Sequence, residues 1–112
     1  MPGAKIVVLY PTPRDAAAFE RAYTVDHAPM VTPQTFPGLT KFVATRIAGT
    51  PDGSAAPYAR VAELHFPSIA ALQSAAASSP AQKAVAHAIS ISNGGTPIFL
   101  VAEEEVKEFP AV

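Results

Sequence analysis

The chain has 112 residues, room for one hydrophobic core and not for two, so residues 1–112 read as a single domain. Eight basic against nine acidic residues give a formal net charge of −1, which excludes the broad positive field that attracts phosphate backbones, and with it nucleic acid as a partner. There is no cysteine, so disulfides, thiol chemistry and thiolate metal sites are excluded too. 

The first apolar run, Ile6 to Leu9, is too short for a signal-peptide core or a membrane span, and a soluble cytoplasmic protein is expected, with no membrane partner. KIVVLY, residues 5 to 10, is rich in β-branched side chains and bounded by Gly3 and Pro11, which reads as a buried strand. In TPRD, Thr12 as N-cap, Pro13 at the first helical position and Asp15 three after the cap predict a helix over about 13–27, ended by Pro29. Residues 39–48 and 58–66 alternate in polarity around the turn-rich GTPDGSAAP, a β-hairpin with a long loop. Ser68 caps a short helix to about Ala77, and Ser79 with Pro80 starts another that carries Val85, Ala88 and Ile89 on one stripe. Asn93, Gly94 and Gly95 stop that helix, residues 97–104 form a fourth strand, and the rest is a short tail.

The order β-α-β-β-α-α-β matches a ferredoxin-like split βαβ, an α+β domain with a four-stranded antiparallel sheet. In the first strand Ile6 and Val8 oppose Val7 and Leu9, and in the last Ile98 and Leu100 oppose Phe99 and Val101, so both faces of the sheet are apolar. Short helices cover one face. A second copy covering the other gives a homodimer with a barrel-like interior; the alternative cover is the C-terminal tail.

Phe19, Tyr23 and His27 stand four residues apart on one helix face, with the imidazole in the last turn and Tyr23 in reach of it. An imidazole beside a phenol suits proton transfer to or from a bound molecule. The structural alternative is a helix-end histidine favoured by the macrodipole, with Phe19 and Tyr23 as core. Asp26 points to another side of the helix. In YARVAELHF, Val61, Glu63 and His65 share one strand face, which places Glu63 and His65 toward the dimer interior as ligand contacts or as an interface hydrogen bond. His87 lies off the Val85 and Ile89 stripe and is expected in solvent. Glu63, His27 and His65 lack metal-ligand spacing, so no metal is expected. No Gly-rich phosphate loop follows a strand, which leaves no nucleotide-cofactor signal, and no cofactor is expected. No G-x-S-x-G elbow signals serine hydrolysis either.

LYPTPRDAAAFERAYTVDHAPMV, with Tyr10, Pro13, Phe19, Tyr23, His27 and Pro29 at their spacings, resembles the EthD family, named for a component of ethyl tert-butyl ether degradation. AELHFPSIAAL and the Gly-Gly-Thr-Pro before the last strand extend the resemblance over nearly the whole chain. The resemblance implies a dimeric α+β barrel, with His27 as the functional position and Tyr23 and Tyr10 lining the same cleft. Similar proteins include some encoded with oxidative degradation systems and fungal relatives in polyketide pathways. Related barrels include cofactor-free monooxygenases, cyclases, lactone isomerases and haem-degrading enzymes, and a fold does not choose among them. Two functions follow. One is a cofactor-independent acid/base enzyme acting on a carbonyl-bearing or aromatic molecule, with His27 and Tyr23 catalytic and Tyr10, Phe19, Asp26, Glu63 and His65 contacting substrate. The other is a non-catalytic binding or accessory protein for an oxidative system.

Overall fold

A computed structural model describes residues 3–111. Four strands, β1 (Ala4–Pro11), β2 (Lys41–Arg46), β3 (Tyr58–Phe66) and β4 (Ile98–Glu103), form one antiparallel sheet in the order β2-β3-β1-β4. Helices α1 (Ala16–Arg21), α2 (Ile69–Ala76) and α3 (Ser79–Ile91) complete the expected β-α-β-β-α-α-β order, and the architecture is the ferredoxin-like split βαβ.

The register fixes what each face carries. Val8 of β1 stands beside Ala62 and Phe99, so Val8, Tyr10, Ala62, Leu64 and Phe66 form the inner face, where they are buried with Phe19, Tyr23 and Leu72. Val7 pairs with Glu63 and Leu100, and Leu9 with Val61 and Ile98, which makes these the outer face. Ile98 and Leu100 remain 40% and 48% exposed, so the apolar outer face expected from the alternation is present and uncovered by the described residues.

Several local expectations are corrected. Asp15, not Thr12, caps α1: its carboxylate accepts from the Ala18 amide, while the Thr12 hydroxyl donates to the Ala56 carbonyl. The helix does not stop at His27. It widens into a π-helical stretch (Ala22–His27) and tightens into a 3-10 turn (Ala28–Met30), which admits Pro29 because a first-turn residue needs no N–H partner. The cap of α3 is Ser78, one residue before the expected Ser79. The buried stripe of α3 is Ala81, Ala84 and Ala88, and Ile89 is 45% exposed. The chain contains 23 alanines, and these three let α3 lie close to the rest of the core. β2 is shorter than expected, and between Met30 and Lys41 a segment without helix or strand sends Phe36 into the core.

One glycine is sterically required. A Cβ on Gly94 would lie 2.0 Å from the Thr12 carbonyl oxygen. Beside it Asn93 accepts from the Asp15 amide and donates to the Asp15 carbonyl, tying the end of α3 to the start of α1.

Candidate functional site

The i, i+4 spacing of Phe19, Tyr23 and His27 does what it predicts, and the widened helical turn keeps the three on one face. Ring centroids are 5.8 Å apart from Phe19 to Tyr23 and 5.9 Å from Tyr23 to His27, and all three side chains are buried. Tyr10 reaches across from β1 and meets Tyr23 edge to face at 5.3 Å, beside a register shift between Tyr10 and Pro11. On the other side of Tyr23 the Arg60 guanidinium lies 4.8 Å above the ring, held by two hydrogen bonds to the Glu20 carboxylate at 2.6 and 3.0 Å.

The column ends in a contact that the sequence spacing did not reveal. His87, from α3, stacks on His27 with centroids 5.2 Å apart and planes 16° from parallel, and the two Nδ1 atoms are 3.0 Å apart. The expectation that His87 is solvated is therefore corrected: it is half-buried against His27. No spacing within one helix would have paired them, because the pairing depends on how α3 crosses the π-helical stretch. Two facing nitrogens at that distance need one proton between them, so one ring carries Nδ1–H and the other a bare Nδ1. Burial, reinforced by the neighbouring His87, lowers the His27 pKa to about 4, so the imidazole is neutral at physiological pH.

Burial raises the Tyr23 pKa, and its hydroxyl is buried with no hydrogen-bond partner among the described residues. Burial likewise holds Tyr10 well above the usual phenol range. Both tyrosines are neutral. His27 opens on a cavity of about 30 Å³ between helices and sheet, lined by Val31, Phe36, Phe42, Leu64 and Phe99 among others. Tyr10 and Tyr23 stand behind His27 and do not line this cavity. Asp26 is exposed.

Glu63 and His65 lie elsewhere. Their register puts them on the outer face, separated from His27 by the sheet, so a single protomer does not bring the two histidines together. They belong to an ionic cluster: Lys5 donates to Glu63 at 2.6 Å, lies 3.4 Å from Glu104, and His65 sits 3.5 Å from both carboxylates. The hydrogen bond from Lys5 is the main reason the Glu63 pKa is lowered. His65 is buried, and its Nε2 has no hydrogen-bond partner among the described residues. Among the described residues no group of three His, Cys, Asp or Glu side chains is placed to hold a metal ion. No described helix is long and apolar enough to cross a membrane.

Fold and site together define a ferredoxin-like α+β domain with an imidazole pair, one ring buried and one half-buried, between its helices and its sheet. No family model matches the sequence. A crystal structure of an ethyl tert-butyl ether degradation (EthD) family protein from Bacillus halodurans C-125 superposes with a TM-score of 0.83 at 27% identity, covering 92% of this chain and 99% of that one. An uncharacterized 11.0 kDa protein of the thcB-thcC intergenic region of Rhodococcus erythropolis is 31% identical over 102 residues, 91% of this chain and 96% of the relative. The chain belongs to the EthD family. Two structures share the fold at lower identity. A dimeric ferredoxin-like protein of unknown function from Jannaschia sp. CCS1 has a TM-score of 0.67 at 22% identity, over 93% of this chain and 99% of that one. Hydroxynitrile lyase from Passiflora edulis has a TM-score of 0.70 at 14% identity, over 97% and 98%.

Proposed function

We propose that this chain is a cytoplasmic homodimer, joined through the outer faces of its sheets, in which each protomer binds a small, largely apolar organic molecule at the His27 cavity and moves a proton on it without a cofactor. The carrying observation is the Nδ1 to Nδ1 contact between His27 and His87. With Nδ1–H on His27, its Nε2 is a free base. As Nε2 takes a proton from the bound molecule, the Nδ1 proton passes to His87. The positive charge then rests on the half-buried ring, where water reaches it more easily than in the buried one. His27 is left neutral with Nε2–H, ready to return the proton to another atom of the substrate.

This is lyase or isomerase chemistry of the acid/base kind, a class that the fold accommodates in the hydroxynitrile lyase without assigning it to this chain. The Tyr23 hydroxyl, without a hydrogen-bond partner among the described residues, is the group available behind His27 to orient it. A cavity of about 30 Å³ holds about one water, so a larger ligand enters by displacing its walls, of which Val31 and Phe36 belong to the irregular segment before β2. The homodimer rests on the uncovered apolar face and on the dimeric assembly of the Jannaschia protein. In that dimer Glu63 and His65 meet the partner and hold the interface, and they do not act on the ligand.

The cavity's almost wholly apolar lining favours a second reading, a non-catalytic carrier or accessory protein. The test is product analysis with carbonyl-bearing aromatic compounds on wild type and His27→Ala, with the dimer verified by sedimentation. Turnover that disappears in the variant supports the enzyme. Ligand that binds and is recovered chemically intact from both proteins supports the carrier.

A further inference from the structure

The larger hollow of the protomer is not the His27 cavity. A groove of about 420 Å³ runs between α1 and the ends of the β2–β3 hairpin, within the range of small-ligand sites. Its floor and walls are apolar, with Phe19, Ile47, Ala56 and Tyr58 among them, and Pro13 and Ala16 close it on the α1 side. Charge is confined to Glu20 and Arg46. Glu20 is already neutralised by its two hydrogen bonds from Arg60. Arg46 is the cross-strand partner of Arg60 and so lies on the same inner side of the sheet, yet it has no salt bridge among the described residues. The groove therefore combines an apolar trough with one guanidinium in excess. It opens on the inner side, away from the face that the proposed dimer covers, so both protomers keep it accessible.

We infer that this groove is a second small-molecule site, selective for an organic monoanion whose apolar body lies on Ile47, Ala56 and Tyr58 and whose carboxylate takes a charge-assisted hydrogen bond from Arg46. An uncharged molecule of the same shape fills the trough but leaves the guanidinium without a partner. A dianion meets only one excess positive charge, with Glu20 nearby. The site is independent of the histidine pair, since its walls share no residue with the His27 cavity.

The experiment is calorimetric titration of the full-length protein with 4-phenylbutyrate and with its uncharged amide. Saturable binding is expected at one molecule per protomer, weaker by about tenfold or more for the amide and for 4-phenylbutyrate on Arg46→Gln. Ala56→Trp, which fills the trough, abolishes binding, and circular dichroism verifies that each variant is folded. His27→Gln binds 4-phenylbutyrate as wild type does, which separates this site from the proposed catalytic one. Equal affinity for acid and amide, undiminished binding by Arg46→Gln, or no saturable binding of 4-phenylbutyrate to wild type overturns the inference.

Discussion

His27 and His87, 60 positions apart in the chain, face each other through Nδ1 atoms 3.0 Å apart with nearly parallel rings. Two neutral imidazoles so placed form a donor and an acceptor, whereas two imidazolium ions in the same position would repel at contact distance. The pair is therefore built to carry at most one positive charge, and protonation of both rings acts against the fold.

That relationship fixes a pH dependence. His27 has a folded pKa of about 4 against an ordinary value of 6.5, so between these values the unfolded chain binds a proton that the native state excludes. Stability is then fully present above about pH 6.5 and falls as pH drops toward 4, by about 3 kcal/mol in all from this group. Urea unfolding from pH 7 to pH 4 measures the decline, and His27→Gln is expected to remove most of it.

Tyr23→Phe is expected to leave the unliganded protein as stable as wild type or more so, by up to about 1 kcal/mol, because the hydroxyl it removes is buried without a partner among the described residues. The ring contacts with Tyr10, Phe19 and Arg60 remain. A hydroxyl that orients His27 predicts that the same variant loses turnover while its melting temperature holds. Scanning calorimetry with product analysis of the variant separates the two effects.

Gly94→Ala tests the tie between α3 and α1. The added methyl would lie 2.0 Å from the Thr12 carbonyl oxygen and 2.9 Å from the Pro13 Cα, both backbone atoms with little freedom to yield. A loss of about 2 kcal/mol or more is expected in denaturant unfolding.

Leu100→Asp places a carboxylate on the outer face, on the edge strand β4 beside Val7, and sedimentation is expected to show a dimer for wild type and a monomer for the variant. Lys83→Ala changes an exposed side chain of α3, on the helical side of the sheet, and is expected to leave the dimer intact.

The strands and the aromatic column were legible because both depend on local periodicity. Alternation in Ile6–Leu9 and Ile98–Val101 assigned the two faces correctly, and four-residue spacing aligned Phe19, Tyr23 and His27. Helix boundaries were read less well where two capping signals competed. Asp15 lies three residues after Thr12 and Ser78 one before Ser79, and tertiary packing chose between them. The histidine pair was not legible, because His87 meets His27 through the crossing of α3 over the π-helical turn, a relation between elements that no spacing encodes. For the same reason Glu63 and His65, grouped with His27 by chemistry in the sequence, belong to the opposite face of the sheet.

The most direct test of the proton-sharing pair is long-range ¹H–¹⁵N NMR of the imidazole nitrogens across a pH titration. A proton-sharing pair with His27 as its buried member gives His27 a midpoint of about 4, complementary Nδ1 protonation of the two rings at pH 7, and a displaced His27 midpoint in His87→Ala. A His27 that titrates at its ordinary value near 6.5, unchanged when His87 is removed, would contradict the account.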